Sequence, residues 1–112
     1  MVKEVKVKMT RPYSDKFIEL INNPLTEQSM GIEFAKLCVE ANIPALYVAH
    51  AVEASRLSVH KWFRGQDIRK KNRRIIQVFM EHLRADLGRK ILPAMNRREA
   101  KQYIIDLTGV PF

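Results

Sequence analysis

Residues 48–65 read VAHAVEASRLSVHKWFRG, and the small and apolar side chains in this stretch recur where two short helices joined by a tight turn need them. Ala49 is small enough to let a following helix approach, Val48, Val52, Val59 and Trp62 can fill the space between the two, and Ala54 points inward from the turn. Ser55 carries a hydroxyl that can accept an N–H from a first helical turn, so it reads as the cap of a helix from Arg56 to Phe63. Gly65 stands where a helix end takes a left-handed residue. Pro44, with φ already fixed and no N–H to lose, suits the first turn of the preceding helix, which runs to Val52.

Outward from this stretch the chain reads as further helices. Ser14 caps a short one carrying Phe17, Ile18 and Ile21, which Asn22-Asn23-Pro24 ends. A second is expected from Thr26 or Glu27 to Ala41, ended by Asn42 and Pro44. Beyond Gly65, Ile75, Ile76, Phe79, Met80, Leu83 and Leu87 recur at helical spacing for about four turns, and Gly88 with Pro93 closes that element. The run from Arg69 to Arg74 before it reads as a basic loop. A last helix is expected near Asn96 to Leu107, with Tyr103, Ile104 and Leu107 on one side and Gly109 at its end. At the other terminus Val5, Val7 and Met9 alternate with Glu4, Lys6 and Lys8, the period of a strand. No later segment offers that strand a partner, so it reads as an arm.

A chain of 112 residues, 46% hydrophobic and 29% charged, matches one globular domain with a core of its own. The expected division is an arm over residues 1–13, a helical domain over 14–94 and a C-terminal helix over 95–112. Cys38 has no partner for an internal disulfide and falls in an apolar helical pattern with Met30, Phe34, Leu37 and Ala41, so a buried thiol in a reducing compartment is expected. No apolar run approaches the roughly 18 residues that span a bilayer, and the N-terminal residues lack the apolar segment of a signal peptide, which points to the cytoplasm. His50, His60 and His82 are spaced too widely for a zinc motif. There is no glycine-rich phosphate loop, and no acid pair or nucleophile–base set separates from ordinary helix-surface residues. Neither enzyme activity nor a metal or cofactor is expected.

The net charge of +8 is unevenly spread. Residues 1–55 hold six Lys and Arg against seven Asp and Glu, and residues 75–112 hold six against four. Between them Arg56, Lys61, Arg64, Arg69, Lys70, Lys71, Arg73 and Arg74 face Asp67 alone. Such a block concentrates positive potential on a small surface and attracts a polyanion.

Val48-Ala49, Ala54-Ser55, Val59, Trp62 and Gly65 together resemble the helix-turn-helix of the lambda-repressor-like family, also called Cro-type or XRE-type. Its pattern runs Leu-Ala, three residues, Gly-Val-Ser, then a capped helix ending near Trp-Glu-x-Gly, and it aligns here without a gap. The resemblance covers about residues 30 to 90. Glu53 stands in place of the turn glycine, so it must adopt a positive φ or shift the turn. Phe63 stands in place of an acidic residue.

The resemblance implies an all-α, compact bundle of about five helices, with the C-terminal helix as an addition. It also implies binding to double-stranded DNA, the helix after the turn entering the major groove. Carried over by position, base reading falls to Ser55, Arg56, Leu57, Ser58, His60 and Lys61. Phosphate contacts fall to Arg64, Arg69, Lys70, Lys71, Arg73 and Arg74. The role implied is a small bacterial or bacteriophage transcriptional regulator acting as a homodimer. Two other roles suit the same residues: a DNA-recognition subunit of phage packaging (a small terminase) or of replication initiation, and a protein-binding antitoxin or inhibitor. Tyr103, Ile104, Leu107, Val110 and Phe112 serve either a dimer interface or the domain's own core.

Overall fold

The computed structural model describes residues 10–112, and among them the chain is all-helical, with six helices and no strand. Of the arm expected over residues 1–13, residues 1–9 lie outside the described residues; the rest is held to the domain, with Thr10 N–H donating to Met95 O at 3.0 Å and Tyr13 packed against the core. The helices are α1 (Asp15–Asn22), α2 (Met30–Ala41), α3 (Ala45–Ala51), α4 (Arg56–Phe63), α5 (Lys70–Gly88) and α6 (Arg97–Thr108). No helix among the described residues is long and apolar enough to cross a membrane.

Local chemistry accounts for most of the boundaries. The Oγ atoms of Ser14, Ser29 and Ser55 and the side chain of Asn96 each accept an N–H three residues on, starting α1, α2, α4 and α6. The start of α2 differs from the Thr26 or Glu27 expected. Thr26 donates its hydroxyl to the Leu20 carbonyl at 2.6 Å and Asn23 Oδ1 accepts from Leu25 N at 2.8 Å, so this segment folds back as a loop and leaves Ser29 as the cap. At the end of α4, Gly65 N–H reaches Trp62 O at 2.9 Å and Gln66 N–H reaches Lys61 O at 3.1 Å, the paired bonds of a Schellman motif, with Gly65 at φ 98°. Glu53 does take the positive φ its place in the turn demands, 55°.

Helix α5 starts earlier than its apolar period suggested. Lys70 to Arg74 form its first turns, because no breaker follows Ile68, which is buried and ties the chain down just ahead of them. At the far end Gly88 is still helical, and Lys90 takes the left-handed position instead, at φ 63°. Helix α6 packs against α3, with Ala100 and Ile104 fully buried and Tyr103 donating its hydroxyl to Asp86 on α5. Ile104 lies in the domain's own core and Tyr103 and Leu107 pack against it, while Val110 and Phe112 stay exposed.

One apolar core joins all six helices. Phe63 is its aromatic hub: its ring meets Phe34 edge-on at 5.4 Å and lies 6.1 Å from Phe17 and 6.3 Å from Tyr13, which links α1, α2 and α4. That explains the missing acid at this position, since a carboxylate at a site only 1% exposed would be buried without a partner. Trp62 is also buried, and Cys38 is fully enclosed, where burial raises the pKa of its thiol and keeps it protonated.

Helices α2 and α4 approach closely. A Cβ added to Gly31 would lie 2.0 Å from the Trp62 carbonyl oxygen, so only glycine lets the two backbones meet. Gly31→Ala should therefore destabilise the domain by at least about 1–3 kcal/mol in chemical denaturation, because a backbone carbonyl cannot swing aside as a side chain would. Gly88→Ala, with open space around its added methyl, should be neutral or stabilising by up to about 1 kcal/mol. Equal effects from the two would mean that α2 and α4 do not meet at Gly31.

Candidate nucleic-acid interface

Helix α4 turns Val59, Trp62 and Phe63 inward and leaves the rest of its circumference to solvent. At about 100° per residue, the outward arc runs from Arg56 and His60 on one edge, through Leu57, Lys61 and Arg64, to Ser58 on the other. Leu57, on the middle of this arc, is 65% exposed.

Of the residues nominated for base reading, Arg56, Leu57 and Lys61 are exposed, while Ser58 and His60 are half-buried. Ser55, exposed as well, carries the cap that its place before Arg56 implied. Its Oγ accepts Ser58 N–H at 3.0 Å and donates to Ser58 Oγ at 2.9 Å, so it holds the helix start together. Arg56 Nε donates to His60 Nε2 at 3.3 Å, which fixes both side chains along one edge of α4.

The bases nominated for phosphate contact divide. Arg69 and Lys71 line a polar groove together with Ser58 and Lys61 of α4, and Gln66, Asp67 and Asn72 complete its walls. Lys70 and Arg74 are exposed but line no part of that groove, and Arg64 is exposed at the end of α4. Arg73 turns elsewhere: its Nε donates to Ile68 O at 3.0 Å and it lines a concavity beside Ser29 and Met30 at the start of α2. Among the described residues the single ion pair joins Arg89 to Asp86 at 3.5 Å, so none of the eight bases from Arg56 to Arg74 is matched by a carboxylate.

Three residues escaped the sequence reading. Gln66 and Asn72 carry amides into the first groove. Arg97 lines a second groove along the other edge of α4, with Arg56, His60, Leu46 and Tyr47. Gln66 and Asn72 flank the basic run and could have been found by treating its polar neighbours as one surface. Arg97 has no local signal, since it reaches α4 only through the packing of α6.

The His60 imidazole is held below its ordinary pKa, first by partial burial and then by the guanidiniums of Arg56 and Arg64. Tyr103 is pushed the other way, by burial and by its bond to Asp86, and stays a phenol at any physiological pH. For His60 the unfolded chain takes up the proton more readily than the folded one. Its contribution to stability is then complete above about pH 6.5 and is lost as the pH falls through the depressed pKa. His60→Gln should accordingly lessen the drop in melting temperature between neutral pH and about pH 5. An undiminished drop would mean that the ring titrates in the folded protein as it does in water.

No family model matches the chain, and no curated protein or solved structure shows significant similarity to it.

Proposed function

We propose that this protein binds duplex DNA sequence-specifically and acts as a small regulator, with α3 and α4 as a helix-turn-helix and α4 as the helix that enters the major groove. The observation that carries the reading is the first groove: Ser58 and Lys61, suited to base edges, face the same concave surface as Arg69 and Lys71, suited to phosphates. Lys61 and Arg56 donate to guanine O6 and N7, and Leu57 meets a thymine methyl. Arg64, Lys70 and Arg74 add charge beside the groove, where attraction to phosphate needs no fixed geometry. A homodimer reading two half-sites belongs to the same proposal: α6 gives one face to the subunit's own core, and the exposed Val110 and Phe112 beyond it stay open to a two-fold contact.

Two substitutions separate reading from holding. On a duplex selected from a random pool, Arg56→Ala or Lys61→Ala should cost about 1–3 kcal/mol, and much less on unselected DNA. Equal losses on both duplexes would reduce these residues to phosphate contacts.

Arg69→Gln combined with Lys71→Gln should weaken binding to every duplex by a similar factor. It should also flatten the log–log dependence of affinity on salt by about 1.8, or about 0.9 for each phosphate released. A wild-type protein with no affinity for duplex DNA at low salt would refute the proposal outright, and an acidic protein partner would take its place.

A further inference from the structure

We infer that Arg97 is a phosphate contact on the opposite side of α4 from Arg69 and Lys71, so that the domain grips both strands of a duplex across one major groove. This rests on the DNA-binding reading and adds to it a residue and an orientation that nothing in the sequence assigns.

Arg56 and His60, four residues apart, share one edge of α4, and Ser58 lies about 200° around from Arg56, on the other edge. Each edge borders its own groove. The Ser58 edge faces Arg69 and Lys71, and the Arg56 edge faces Arg97. A helix with its side chains is about 10–12 Å across and the major groove is about 12 Å wide, so a helix seated there has a phosphate rim on each side. With bases on one flank only, one strand would go uncontacted. Arg97 supplies the other flank.

Its position is not left to a loose terminus. Buried Asn42 donates through Nδ2 to Ala94 O at 2.7 Å and to Thr10 O at 2.8 Å, while Ala94 N–H returns a bond to Ala41 O at 3.0 Å. The segment leading into α6 is thereby fixed to the end of α2, immediately ahead of α3. Asn96 then caps α6 by accepting Glu99 N–H at 2.9 Å, and Glu99 Oε2 accepts Met95 N–H at 2.6 Å. Glu99 is therefore engaged with the backbone. Arg97 is exposed, and among the described residues no carboxylate lies within ion-pair distance of it.

The test uses the full chain and salt titrations on a short duplex carrying the sequence selected from a random pool. Arg97→Gln should flatten the log–log salt slope by about 0.9, and Arg97→Gln with Lys71→Gln by about 1.8, the additivity expected of separate phosphates. Neutral methylphosphonates placed one at a time along each strand then assign the contacts. The position at which the wild type loses affinity and Arg97→Gln loses no more should fall on the strand opposite the one found for Lys71→Gln. An unchanged slope for Arg97→Gln, with melting temperature and helix content preserved, overturns the inference while leaving the DNA reading intact. So does assignment of both contacts to one strand. A wild type that binds no duplex overturns both together.

Discussion

The arrangement of this domain depends on a backbone contact without a side chain in it: the start of α2 at Gly31 lies directly against the Trp62 carbonyl near the end of α4. That carbonyl also accepts Gly65 N–H, so the same atom that sets the distance between the helices takes part in ending α4. Gly65 then turns the chain toward Ile68, whose burial delivers the first turn of α5 beside Ser58 and Lys61. On the inner side Phe63 fills the space among α1, α2 and α4, and Trp62 and Val59 complete the seal. Every residue that holds α4 in place lies on one side of it. The other side carries no structural duty beyond the cap, which is why a leucine and three long cations can stand there in solvent.

A second constraint acts at the other end of α2. Asn42 is the one buried polar residue among the described residues, and its side chain bonds segments far apart in sequence, at Thr10 and Ala94. It also ends α2 in a left-handed conformation, φ 61°, which asparagine tolerates better than most residues. One side chain thus closes a helix and joins the N-terminal residues to the entry of α6. A buried amide left without partners would cost about 1–3 kcal/mol, so the pairing selects this arrangement over alternatives that merely bury the same apolar surface.

The local devices of the fold were legible in the sequence. Ser14 and Ser55 as caps, Gly65 as a left-handed end, Gly109 as the end of α6, and Trp62 with Val59 as core each follow from the chemistry of one residue and a few neighbours. What failed did so through competition or through distance. Thr26 is as good a cap as Ser29 until its hydroxyl bonds Leu20 O, which no spacing rule reveals. The run Lys70–Arg74 looks unlike a helix start because it has no apolar period and carries the wrong sign of charge, yet Ile68 and Ile76 hold it from both ends. For the candidate site, the outward face of α4 was readable from the inward one by period alone. The turn of Arg73 toward α2 and the arrival of Arg97 were not, since each depends on a hydrogen bond or a packed element outside the local pattern.

The electrostatics of α5 join these threads. A helix N-terminus carries partial positive charge and favours acids, but α5 opens on Lys70, Lys71, Arg73 and Arg74 after Arg69, with no acid in its first turn and no side-chain cap. Like charges four residues apart, such as Lys70 and Arg74, repel by a few tenths of a kcal/mol, and the dipole adds a cost of similar size. A domain stable through its aromatic core tolerates this arrangement but gains nothing from it when free. On the proposed reading, a polyanion bound at Arg69 and Lys71 offsets part of the repulsion and releases its own counterions at once, so a charge arrangement unfavourable to the isolated fold favours the complex. On that account Arg69 and Lys71 form one surface with Ser58 and Lys61 of α4, while Arg73 turns toward the start of α2 and the glycine contact holds α4 from the other side.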